Sequence, residues 1–457
     1  MKTIIKNIPI LLYATALLAI AVLSAVVVHR SDVYVSAQKN DETPIKTDPS
    51  AWENTSKDEP VIPEKTNNTD NAPPEETVEK KYLGSIPRSA EADDKYVYTQ
   101  TIYGNGKTLL CDVLQTSVGI FTVVQTDSTE GDVSGSDPCV GIVKSDSYGN
   151  ILSAVSLDGE NAKDFVSAAP TALGIVLVTG GGKTDSYFLH IVSYDLAEEK
   201  VFKITSAKGG KVVPTQRSFL FFAYYDTETV LYSYSDEKIS FQSVGSGEIC
   251  ELFEFSSYYI VYLSDKSGNK YNIEKIDKSS LRLLSERKVS DALVQNVFPV
   301  NENGKQYYIL FEEKADGISV VKSASPLFAE TLEEKRLGNF TITNAFFDGE
   351  NILLLCEGNI KGIVKVSPDL TARVVGDDEA RYPENILDCI FSGKTLYCLG
   401  TDAEKDIVFC FCENNVVSTE YFNEKTDKAK LIGNLDGTFN LFLQANDDVK
   451  IICFSLA

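Results

Sequence analysis

The sequence predicts an all-β protein built as a single propeller of eight four-stranded blades. Three observations predict it. After about residue 82 the chain turns rich in strand formers, with most of its 22 Tyr and 23 Phe, and no stretch there has helical periodicity. A strongly apolar strand recurs, starting at Ile120, Ile175, Phe219, Tyr259, Tyr308, Ile352, Leu396 and Phe439, in steps of 40 to 55 residues, close to the blade period of about 40–50 residues. These strands (GIFTVV, GIVLVTG, FLFFAYY, YYIVYL, YYILF, NILLLC, TLYCL, FNLFL) are apolar at successive positions, as strands packed on both faces must be. The first step of 55 residues is irregular, and setting that unit aside would leave seven blades.

Upstream of the repeats lie two segments of other kinds. Residues 1–30 carry Lys2 and Lys6, then 21 uncharged residues from Ile8 to Val28, then His29 and Arg30. A bilayer core of about 30 Å takes roughly 20 apolar residues of helix, whereas a signal peptide has about 7–15. This predicts an uncleaved signal-anchor helix with a short cytoplasmic stub. The competing reading is a long cleaved signal with Val35-Ser36-Ala37 as the processing site. Residues 31–81 read as a disordered acidic linker, since 31–80 hold six of the 15 prolines and twelve Asp or Glu against five Lys. Residues 82–457 form the propeller, placed outside the membrane by the anchor.

Within the propeller, Asn351–Gly376 is the clearest unit: an apolar run from Ile352, a Gly358-Asn359 turn, a run from Gly362 to Val366, a Ser367-Pro368-Asp369 turn, and a run from Thr371 to Val375. The only clean apolar–polar alternation falls in runs such as KVFKI (200–204) and ISFQSV (239–244), expected as outer strands. Asp146, Asp195, Asp236, Asp277 and Asp369 stand where a third strand ends, and a carboxylate there closes the turn on its own backbone. The last unit stops one strand short at Ala457, and Lys95–Tyr103 could supply the missing strand and close the ring.

Two early units resemble the repeat of secreted and membrane-anchored bacterial propeller proteins. The residues that carry the resemblance are Ile142 to Ile151, with Asp146-Ser147-Tyr148-Gly149-Asn150, and the Gly180-Gly181-Gly182 loop leading to Tyr187-Phe188. The Trp usual after the Gly-Asn turn is absent, with Ser153 and Ala154 in its place. The resemblance implies a propeller fold, a secreted setting and extracellular binding or scaffolding, and it implies no catalytic residue.

Residue chemistry narrows the function classes. With two histidines in 457 residues, a histidine zinc site, a Ser/His/Asp triad or a histidine proton shuttle lacks material, and His190 in FLHIV reads as a packed strand residue. Gly180-Gly181-Gly182-Lys183-Thr184 lacks the first glycine of a phosphate loop and the helix behind it. Nine cysteines with no Cys-x-x-Cys pair suggest buried thiols, although Cys398 and Cys410 would face each other across a hairpin within bridging reach. A net charge of −23 excludes nucleic acid as a natural partner.

Two candidate sites remain. Asp127, Glu130, Asp132 and Asp137 sit on a glycine-containing loop whose oxygens would suit Ca²⁺, the one cofactor the sequence suggests. Tyr224 and Tyr225, Tyr258 and Tyr259, and Tyr307 and Tyr308 form adjacent pairs at strand ends, and some could line a ligand-binding face. The expectation is a single-pass cell-membrane protein whose extracytoplasmic propeller is a non-enzymatic binding or scaffold module for a protein or glycan partner. The alternative is a glycan lyase or hydrolase using carboxylates and tyrosines, which would need a central pocket with two carboxylates about 5–10 Å apart.

Overall fold

The computed structural model describes residues 96–455, apart from 103–106, 127–138, 158–160, 181–185, 198, 206, 236–237, 376–382, 393–394, 403–405 and 414–415. The segments expected as anchor helix and linker, and the stretch with Asp127, Glu130, Asp132 and Asp137, lie outside the described residues, as does Asp236. Among the described residues no helix is long and apolar enough to cross a membrane.

Thirty-two strands form eight four-stranded antiparallel sheets. Seven sheets are meanders in chain order. The eighth joins the last three strands of the chain to the first described one, Tyr96–Ile102, which pairs with Asp448–Ser455. Eight blades and closure by the N-terminal strand therefore stand as predicted. The unit at 351–376 has strands Ile352–Gly358, Gly362–Val366 and Ala372–Val375.

The eight apolar anchors are the second strands, and their burial explains why they lack alternation. Gly174–Gly180 is buried at every position but the last, and Phe219–Tyr224 likewise. With the blades numbered 1 to 8 in the order of their anchors from Ile120 to Phe439, odd and even residues of a second strand feed different seams: in blade 2, Val176 and Val178 pack toward blade 3, while Ile175 and Leu177 pack toward blade 1. The buried apolar residues fall into eight clusters, one for each pair of neighbouring blades.

First strands of neighbouring blades touch one another, as Thr108–Thr116 does with Asp164–Thr171 and Asn385–Ser392 with Ala429–Gly433, so these strands wall the central channel. Fourth strands form the rim, where Phe241 is 70% exposed. The turn aspartates do the work expected of them. Asp146 Oδ1 accepts the amides of Tyr148 and Asn150, and Asp277 and Asp369 accept hydroxyls and amides of their own turns, which holds both carboxyls down at about 2.

Candidate functional site

The tyrosine pairs split as strand alternation requires. Tyr224 and Tyr259 enter the seam between blades 3 and 4, Tyr258 and Tyr308 the seam between blades 4 and 5, Tyr225 the seam between blades 2 and 3, and Tyr307 that between blades 5 and 6. Tyr225 and Tyr232 share a hydroxyl contact of 3.1 Å, Tyr258 stacks on Phe255 at 4.6 Å, and Lys275 lies 4.0 Å over the Tyr258 ring. Burial pushes the phenols of Tyr224 and Tyr259 well up, and that of Tyr308 to about 12. Tyr224 and Tyr225 end a second strand whereas the other four lie at or near the start of one, so the pairs sit toward opposite faces of the ring. They are not assembled into one site.

The buried cysteines and histidine are likewise interior groups. Cys398 stands opposite Cys410 as the register required, with Cys389 beside Cys398 in the adjacent strand, and the three are reduced thiols outside any disulfide. The adjacent Cys398 thiol and burial push Cys410 far up, and burial alone raises Cys356 to about 12. Such thiols are inert at neutral pH. His190 is fully buried between Thr179 Oγ1 and Glu199 Oε1, each at 2.8 Å.

What the sequence reading missed lies in the channel wall. Six of the eight first strands carry a β-bulge at the same level, and each bulge is followed by a polar residue: Asp112, Ser167, Glu251, Asn296, Asn344 and Asp388. The two regular first strands hold Lys211 and Lys430 there. All eight pair with the third residue after the apolar anchor of their own blade, Val123, Val178, Phe222, Tyr262, Phe311, Leu355, Leu399 and Phe442. They form one layer around the channel.

The bulge explains why polar residues are tolerated there. In blade 1, Leu110 faces the seam with blade 8 and Cys111 the seam with blade 2, and after Asp112 the same order resumes with Val113 and Leu114. Cys111 is the residue that the bulge leaves without a cross-strand partner, and Asp112 is the extra residue in the two-face alternation, standing between Leu110-Cys111 and Val113-Leu114. Blade 4 repeats this, with Glu251 inserted between Ile249-Cys250 and Leu252-Phe253. The inserted side chain also caps an edge amide: Asp112 accepts Val113 N–H at 2.9 Å, Glu251 accepts Leu252 N–H at 3.0 Å, and Asn344 accepts Ala345 N–H at 2.9 Å. Asp388 reaches the next blade, accepting Leu431 N–H at 2.8 Å with Lys430 Nζ at 3.5 Å.

The electrostatics of this layer follow from its depth. Burial raises the carboxyls of Asp112 and Asp388 and pushes Glu251 up to about 7. Lys430 opposes the rise at Asp112 and Asp388, and the Asp388 charge adds to that at Asp112. One arc of the channel thus carries Asp388, Lys430 and Asp112, another Lys211 and Glu251, and amides or a hydroxyl complete the ring. Such a wall offers donors and acceptors to a polar ligand. Among the described residues no group of three or more His, Cys, Asp or Glu is placed to hold a metal ion.

No catalogued protein family and no curated protein matches the chain. Solved propellers do. They include the propeller of Dos1, with a TM-score of 0.41 and 8% identity over 64% of this chain and 93% of that one. A putative 6-phosphogluconolactonase from Bacteroides uniformis ATCC 8492 has a TM-score of 0.41 and 13% identity over 70% of this chain and 96% of that one. The dihydro-heme d1 dehydrogenase NirN in complex with DHE has a TM-score of 0.46 and 13% identity over 75% and 78%. At such identities the likeness is one of fold.

Proposed function

We propose that this protein is a membrane-tethered, extracytoplasmic, non-enzymatic binding propeller, and that its ligand, a glycan or a segment of a protein, is read in the central channel by the polar layer. The observation that carries this reading is the layer itself. Eight blades of different sequence place a hydrogen-bonding side chain at one shared level, six of them beside a bulge and two, with Lys211 and Lys430, on a regular strand. Polar groups at depth carry a desolvation cost that a bound polar ligand offsets. The 21-residue uncharged stretch and the acidic, proline-rich linker support the tether and the stalk.

One observation favours a second reading, hydrolysis or lysis of a glycan. Burial raises the carboxyls of Asp112 and Asp388, and the Asp388 charge adds a smaller rise at Asp112, so the channel wall holds two acids of the kind that glycan cleavage uses.

A glycan array probed with purified protein, with calcium and with chelator, separates the readings. Saturable binding that D112N/D388N weakens at least tenfold supports the channel. Loss on chelation alone would move the site to Asp127, Glu130, Asp132 and Asp137. New reducing or unsaturated ends, lost in D112N/D388N, would favour the enzyme. A blank array with folded protein turns the search to peptide and protein ligands.

A further inference from the structure

Six buried side-chain atoms among the described residues lack a hydrogen-bond partner. Ser167 belongs to the channel layer. Thr122, Ser145 and Asn440 line the seam between blades 8 and 1, where the Thr122 and Ser145 hydroxyls can turn their protons to an acceptor and Asn440 Oδ1 is an acceptor in the same seam. The remaining two are of another kind. Glu274 Oε2 and Asn272 Oδ1 are both acceptors, on side chains 1% and 4% exposed, two residues apart on the same face of the third strand of blade 4, Lys270–Asp277. That face meets Leu220, Leu231 and Val244 of blade 3.

We propose that Glu274 is a proton-binding site: its Oε2 carries a proton shared with Asn272 Oδ1, and this proton locks the connection between blades 3 and 4. The two side chains end at the same place, since both reach the Cβ position of residue 245, and each keeps one unpartnered buried acceptor, so a proton on Glu274 supplies the donor that the pair lacks. The other carboxyl oxygen, Oε1, accepts Gly245 N–H at 2.7 Å, so the same group pins the Gly245-Ser246-Gly247 connection that carries the chain from blade 3 to blade 4. Residue 245 must be glycine for this contact, because a Cβ there would overlap Glu274 Oε1 and Asn272 Nδ2.

No fixed cation competes for the role. On the neighbouring strand, Glu286 lies opposite Glu274 and Lys288 opposite Asn272, and those two pair with each other at 2.9 Å with the lysine 70% exposed. The blade 3 wall presents Leu220, Phe222, Leu231, Val244 and Tyr224, whose hydroxyl meets the Ile249 amide at 3.4 Å, and the connection itself presents glycine and serine, so no cation faces Glu274 from that side. Burial is the main force raising the Glu274 carboxyl, to about 7, with Glu286 adding to the rise and the Gly245 amide and Lys288 opposing it. Deprotonation restores two unsatisfied acceptors and a buried charge. The connection loosens, and with it the placement of Lys211 and Glu251, which stand on the two joined blades. The inference does not rest on the ligand reading above.

Hydrogen exchange tests it. In the full chain, protection of the Gly245 amide, corrected for intrinsic exchange, should fall about tenfold per pH unit between about pH 4.3 and about pH 7 and level off above it. In E274Q, whose amide donates to Asn272 at every pH, protection should not change with pH. In E251Q, which removes the other glutamate raised to about 7, the wild-type dependence should persist. Equal wild-type protection at pH 6 and pH 9 overturns the proposal, as does an unchanged dependence in E274Q. If E274Q does not fold, wild type and E251Q decide: a dependence abolished in E251Q belongs to the channel and overturns the proposal.

Discussion

Asn344 has two roles at the channel wall, displaying an amide to the channel and capping the Ala345 N–H at 2.9 Å. Replacing it with alanine leaves an edge amide to water, and we expect a loss of about 1 kcal/mol in denaturant unfolding, the usual worth of a hydrogen bond. His190 is more demanding. It is enclosed between Thr179 and Glu199, whose carboxylate side chain is 3% exposed. His190→Ala leaves Glu199 without this partner in the interior, so the expected cost is about 1–3 kcal/mol from the unsatisfied group, with a cavity cost on top. Urea denaturation of the variant measures both.

At the scale of the strand and turn, Gly174 illustrates what a hairpin demands. It opens the second strand of blade 2 with φ at +138°, and a Cβ there would overlap the Val192 carbonyl of the third strand. Gly174→Ala should therefore cost about 1–3 kcal/mol, read as a lower unfolding midpoint. The second strands were the most legible part of the sequence, because burial on both faces leaves an unbroken apolar run that survives alignment. The channel layer was not legible, because a bulge breaks period-two alternation and its polar residue looks like noise within an apolar strand. A signal was nevertheless present. Asp112, Ser167, Lys211, Glu251, Asn344 and Asp388 all stand eight residues before their blade's anchor, Lys430 stands nine before and Asn296 twelve, since the hairpins between first and second strands hold nearly constant length. The tyrosine doublets were conspicuous for a different reason: adjacent rings on one strand must serve two seams.

At the scale of the whole molecule, the buried carboxyls set an unusual response to pH. Glu251 and Glu274 are held at about 7 in the folded chain, while their unfolded value is about 4.3. Between those values the unfolded chain gives up protons that the folded chain keeps. The stability they contribute is therefore complete below about pH 4 and lost as pH rises through about 7. Asp277 and Asp369, held at about 2, act in the opposite sense and only on the acid side, since their contribution is present above about pH 4 and lost below it. Calorimetry should find a higher midpoint at pH 5 than at pH 8, with the difference reduced in E251Q/E274Q. Closure is the second global property. Deleting 96–102 removes the rim strand of blade 8 and uncovers the edge of Asp448–Ser455, so the truncated chain should aggregate on size-exclusion chromatography where the full chain does not.

That same closing strand fixes how the molecule meets mechanical load. Tension carried by the chain ahead of Tyr96 enters at the rim of blade 8 and acts first on the pairing of Tyr96 with Phe454, then travels pair by pair toward Ile102 and Val449. The other seven blades join their neighbours through covalent connections, packed seams and single side-chain hydrogen bonds such as that of Asp388 with the Leu431 amide, and feel no pull until the latch has unzipped. A pull on the chain ahead of Tyr96 would spend its work on six residue pairs at one edge, leaving the ring otherwise whole and ready to re-close when the tension drops.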